Sequence, residues 1–153
     1  MIIKQHRFHF VLTIVLMLAI VASCNSGSRY EVRGGAMEPG YQGGQLVEVT
    51  KINPGGIRRG DVIMYTHDDG TWIKRVVGLP GETLEIKDGE VYINGERLDE
   101  SYKAEIGLPS DDYDLITIGE NEFFVMGDNR KASNDSRNYG PISGDAIIGK
   151  VLP

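Results

Sequence analysis

The chain of 153 residues has one cysteine, Cys24, which excludes an internal disulfide framework. Positive charge is also short: 16 Lys and Arg stand against 22 Asp and Glu, for a formal net charge of -6. Lys4 and Arg7 are the only charges before residue 24, so the remainder is more acidic still. The pairs Arg58-Arg59 and Lys74-Arg75 are too isolated to form the basic stripe that a polyanion needs, and nucleic acid is excluded as a partner. Long apolar runs are lacking as well. The longest, 10–22, is interrupted only by Thr13, and thirteen helical residues cover roughly 20 Å against a hydrocarbon core of about 30 Å. No helical apolar period follows residue 24, and no internal repeat is visible. With 41% hydrophobic and 25% charged residues, the composition points to neither disorder nor several membrane spans.

What is present begins with a bipartite chain. Residues 1–24 combine a basic start, the apolar run and Val21-Ala22-Ser23-Cys24, as in an export signal or a short membrane anchor. The last four residues resemble a bacterial lipobox, which would make Cys24 an acylated N-terminus; the plainer reading is a free cysteine that closes the run. Either way the remainder, 25–153, is expected to form a single domain outside the cytoplasmic membrane and held close to it.

Twenty glycines punctuate that remainder between short apolar runs. The runs predict strands over 30–33, 46–50, 62–66, 71–77, 83–87, 90–93, 114–118, 122–126 and 146–151. Asp69-Gly70, Asp88-Gly89 and Asn94-Gly95 reach positive φ cheaply and predict tight turns between them. The fold class is therefore mainly β, a compact folded sheet or barrel, with 97–113 as its one long excursion.

Two stretches carry chemical potential. In Thr71-Trp72-Ile73-Lys74-Arg75-Val76-Val77, alternation puts Trp72, Lys74 and Val76 on one face and Ile73, Arg75 and Val77 on the other. A lysine desolvated by such neighbours has a lowered pKa and can act as a general base, whereas an edge lysine would keep its ammonium in water. The loop Gly127-Asp128-Asn129-Arg130-Lys131-Ala132-Ser133-Asn134-Asp135-Ser136-Arg137 follows an apolar strand and is dense in hydrogen-bonding groups. It reads as a site loop or as a solvated turn with local bonds.

Three segments together resemble the type I signal peptidases: Tyr30-Glu31-Val32-Arg33-Gly34-Gly35-Ala36-Met37-Glu38-Pro39, then 73–82, then 124–137. Arg59-Gly60-Asp61-Val62, Glu90-Val91-Tyr92-Ile93-Asn94-Gly95 and Ile148-Gly149-Lys150 match the family's intervening boxes in order and spacing. The resemblance implies a mainly β, membrane-associated endopeptidase with a Ser/Lys dyad, which removes signal peptides from exported preproteins on the outer face of the bacterial cytoplasmic membrane without metal or organic cofactor. By motif, Lys74 would be the general base and Ser133 would orient its amine. Arg75 would pair with Asp128, and Asp135 with Arg137 would brace the loop. The Ala36 N–H would be an oxyanion donor, and Gly34 occupies the place where some members add a serine donor. Gly35 lies between them in the turn, with Met37 and Pro39 shaping it and packing under a cleft for small side chains.

The departure is Ala36, at the position of the nucleophilic serine. A methyl group can neither attack a carbonyl nor pass a proton to Lys74, so the resemblance implies a proteolytically silent homologue that keeps a cleft for exported peptides. Two other readings stay open: an active signal peptidase whose serine was changed to alanine, and a surface lipoprotein with a structural or assembly role.

Overall fold

A computed structural model describes residues 27–68, 70–104 and 112–153; the apolar run, the lipobox and Cys24 lie outside them. Alternation of β-branched and aromatic residues resolves into eleven strands: β1 (Ser28–Glu31), β2 (Leu46–Thr50), β3 (Val62–His67), β4 (Gly70–Gly78), β5 (Thr83–Lys87), β6 (Glu90–Ile93), β7 (Glu96–Arg97), β8 (Tyr113–Thr117), β9 (Glu122–Met126), β10 (Ile142–Ser143) and β11 (Ile147–Val151). All nine expected strands form, with ends shifted by a few residues. Two of the three expected turns hold as well, while Asp69 of the third lies outside the described residues. Asp88 and Gly89 have φ of 51° and 75°, and Asn94 and Gly95 have 52° and 81°, so both dipeptides turn antiparallel hairpins.

The choice between sheet and barrel resolves into two antiparallel sheets, one ordered β1-β2-β11-β3-β4-β9-β10 and one ordered β7-β6-β5-β8. The smaller sheet seats Leu84, Ile86, Val91 and Ile93 on Val77, Phe124 and Met126 from the far halves of β4 and β9. A second cluster, with Met37, Val47, Val62 and Met64, lies under the turn that contains Ala36, and a third joins Ile63, Tyr65, Val76, Phe123 and Val125. Trp72 borders the third cluster and Ile73 the second, as the alternation in β4 requires.

The mainly β expectation holds, with little helix beside the strands. A single helical turn, α1 (Ser136–Tyr139), forms where Asp135 and Asn138 make a reciprocal capping box. Four residues are too few to show an apolar period, so only the capping signal marks α1 in the sequence. The start of the 97–113 excursion is also anchored rather than loose: Glu100 is buried, and the Ala104 N–H donates to the Asp128 carbonyl at 3.1 Å.

Candidate functional site

The topology brings the three sequence segments to one cleft. β1 is the end strand of the larger sheet, and β9 pairs with β4 only at Arg75, Val76 and Gly78, so 70–74 have no strand neighbour on that side among the described residues. A cavity of about 560 Å³ lies between these elements, lined by Tyr30, Val32, Ala36, Met37, Trp72 and Lys74 among others. Its walls are largely apolar, with Glu31 and Arg33 as the charges from β1 and the residues after it.

The turn from Gly34 to Pro39 is held from both sides. Gly34 adopts φ of 71°, which a residue with a side chain takes only at a cost. The Gly35 carbonyl accepts from the Glu38 N–H at 3.2 Å, and the Met37 carbonyl from the Tyr41 N–H at 2.9 Å. Met37 is buried beneath the turn as expected, but Pro39 is exposed, so it bounds the turn without packing under the cleft. Its neighbours in the turn point it outward while Met37 takes the one apolar slot. No hydrogen bond among the described residues uses the Ala36 N–H, while the Ala36 carbonyl accepts from the Asn129 N–H at 3.0 Å. That last bond ties the turn to the polar loop.

Lys74 is only 2% exposed, and its Nζ lies 5.0 Å from the centroid of the Trp72 ring. Burial lowers its pKa below the usual lysine value, and the charge of Asp135 offsets part of that effect. The buried-amine expectation therefore prevails over the edge-lysine alternative. The expected bond to Ser133 is not the one drawn: Lys74 Nζ donates to the Ile73 carbonyl at 3.2 Å, and the Ser133 hydroxyl donates to Asp135 Oδ2 at 2.6 Å. A carboxylate is the stronger acceptor and lies two residues away, so it takes the hydroxyl proton.

Asp135 organises the loop. Its fully buried carboxylate accepts from the Gly127 N–H at 2.9 Å, and from Arg137 Nε and Nη2 at 2.8 and 3.0 Å, as well as from Ser133. Arg137 also reaches the Arg130 carbonyl at 2.7 Å, so the expected brace closes the loop on itself. Arg75 forms the expected pair with Asp128, two side-on hydrogen bonds at 2.8 and 2.7 Å, and donates to the Gly60 carbonyl at 2.7 Å.

Several residues escaped the sequence reading. Arg130 pairs with buried Glu100, which also accepts from the Tyr102 hydroxyl at 3.0 Å, and the Tyr102 ring lies 4.4 Å from the Arg75 guanidinium carbon. The partners are thirty residues apart, and nothing local signals the pairing. Tyr139 of α1 meets buried Tyr65 of β3, hydroxyl to hydroxyl at 2.5 Å, which docks α1 on the sheet.

Gly127 is the least replaceable glycine of the site. A Cβ there would sit 2.3 Å from Ser133 Oγ and 2.5 Å from the Ala36 carbonyl oxygen. Gly127→Ala is expected to destabilise the domain by about 1–3 kcal/mol through overpacking, measured as a lower midpoint of urea unfolding. Lys74 gives a second expectation. Its folded pKa lies below the unfolded value, so the unfolded chain binds more protons between the two, and stability rises with pH across that window. Measured against Lys74→Met at successive pH values, the wild type should gain relative stability as pH climbs toward the lysine value of 10.5.

The arrangement can bind a peptide carbonyl and hold a neutral amine, but it presents no hydroxyl at the turn. Comparisons with known proteins fit that geometry. The family model described as signal peptidase, peptidase S26 matches residues 5–152. The chain is 36% identical over 138 residues to Signal peptidase I S of Bacillus subtilis (strain 168), covering 83% of this chain and 75% of that one. It is 33% identical over 141 residues to Signal peptidase IB of Staphylococcus aureus (strain N315), covering 80% and 74%. The crystal structure of a signal peptidase I from Enterococcus faecalis V583 is similar at a TM-score of 0.55 and 32% identity, covering 63% of this chain and 97% of that chain. The surface-lipoprotein reading gains no support from these relatives.

Proposed function

This chain belongs to the signal peptidase S26 family, and on that premise we propose that it holds exported peptides in its cleft without cutting them. The observation that carries the reading is the methyl group of Ala36 at the turn, in a cleft shared with a buried Lys74. Covalent catalysis needs an oxygen there to attack the scissile carbonyl and become the acyl ester. What remains after its loss is binding and the oxyanion donor, a rate far below that of a working protease.

Binding itself has the parts it needs. An extended peptide laid between β1 and the edge of β4 opposite β3 would satisfy the outward groups of 70–74 by strand addition. The apolar walls would take short side chains, and the Ala36 N–H would receive the peptide carbonyl next to them. Lys74, Ser133 and the braces Arg75–Asp128 and Asp135–Arg137 would keep that surface in shape. No metal or organic cofactor is called for by such a role. The protein would work at the outer face of the bacterial cytoplasmic membrane, tethered through 1–24 by a lipid on Cys24 or by a short anchor.

The test is incubation of the purified full chain in detergent with a preprotein, followed by electrophoresis and co-purification. The expected result is an intact preprotein that co-purifies with the chain. Release of a mature-length product, or no association at all, would overturn the proposal.

A further inference from the structure

The group left without a task is the Lys74 amine. In a site whose turn carried a hydroxyl, this amine would have a proton to manage; beside the Ala36 methyl it has none. Its one hydrogen bond among the described residues goes to its own strand, to the Ile73 carbonyl at 3.2 Å, which is at the long end of the N–H···O range. It is 2% exposed, yet it lines the 560 Å³ cleft, so a small molecule meets it along the cleft rather than from bulk water. We propose that Lys74 is itself a nucleophile, and that the cleft captures an aldehyde carried at the end of a short extended peptide as an imine on Lys74 Nζ.

The step balances without an outside reagent. The nitrogen lone pair forms a C–N bond to the aldehyde carbon, and the carbonyl pair moves to oxygen, which takes a proton from nitrogen to give a carbinolamine. That hydroxyl leaves with the second nitrogen proton as water, and the C=N bond closes. The amine must be neutral to begin, and burial in the cleft favours that form. The Ala36 N–H, which donates to none of the described residues, can hold the developing oxygen. The free edge of β4 and the apolar walls select an extended peptide over a hydrophilic sugar aldehyde. Ala36 matters to the outcome as much as Lys74. A serine at that position would compete for the same carbon and hold it as a hemiacetal.

The inference rests on the reading that the cleft binds extended peptides, and its test separates the two. The full chain in detergent is mixed at neutral pH with an acetylated peptide ending in alaninal. The mixture is then reduced with borohydride, and the modified lysine is located by peptide mapping in a mass spectrometer. Lys74 is expected to carry the secondary amine in about tenfold excess over each exposed lysine such as Lys87 or Lys131, because burial favours its neutral form over a solvated ammonium. Ala36→Ser is expected to lower the Lys74 label by about tenfold, because a hemiacetal survives no borohydride as an amine. Label spread evenly over the surface lysines, or none, overturns the inference. The matching peptide alcohol, titrated in parallel, decides the rest: if it binds while Lys74 stays unlabelled, only the imine falls, and if neither binds, the cleft reading falls with it.

Discussion

The Ala36→Ser variant is expected to cleave preprotein on the order of 10⁴-fold faster than the wild type, or more. The size follows from what the substitution restores. Lys74 already has the two properties a base in a dyad needs, since it is buried and its pKa is lowered. The turn is fixed at its carbonyl by Asn129, so a hydroxyl added at residue 36 would project from an immobilised backbone into the cavity that Lys74 also lines. The Ala36 N–H, proposed as the oxyanion donor, is unaffected by the exchange. Preprotein turnover by the purified variant measures the gain. Its pH profile should follow deprotonation of Lys74, with the rate rising as the amine loses its proton. A variant that binds preprotein but gains nothing would mean that the amine and residue 36 are out of reach of each other.

The second large effect concerns Arg75 and Asp128. Asp128 is fully buried, and the two groups share a double hydrogen bond, so Asp128→Ala leaves a guanidinium at 14% exposure without its counter-charge. Losing one member of a buried pair is expected to cost about 3–5 kcal/mol. That is a large fraction of the roughly 5–15 kcal/mol by which a domain is stable. The double variant Arg75→Met with Asp128→Leu should recover most of the loss, because paired charges offset little more than their own desolvation. Urea unfolding of the wild type and these two variants checks this. Equal losses in the single and double variants would show that the site loop depends on the ions themselves. Tyr102 and Gly60, which also touch Arg75, make that alternative a physical one.

The sequence made the local parts of this molecule legible and left the distant ones dark. Strands and hairpins were readable because alternation, Asp88-Gly89 and Asn94-Gly95 act over a few residues. The pairing of Arg75 with Asp128 and the brace of Asp135 by Arg137 came from motif resemblance, and the geometry agrees with both. The Ser133 hydroxyl donates to Asp135 and the Lys74 amine to the Ile73 carbonyl, because a motif gives a residue its place but not its hydrogen-bond partner. Glu100 looked like part of a polar excursion, and only the folded chain brings it under Arg130. The same holds for Gly127, whose missing side chain lets the loop touch the Ala36 carbonyl.

Trp72 offers the most direct test of a cleft that fills but does not cut, since it is the chain's single tryptophan and lines the cavity beside Lys74. The measurement is its fluorescence after the wild-type chain is mixed with a synthetic peptide spanning a signal-peptide cleavage site. A spectral shift that develops and then persists, with the peptide recovered whole, is the expected result. A shift that decays as two product peptides appear would contradict it.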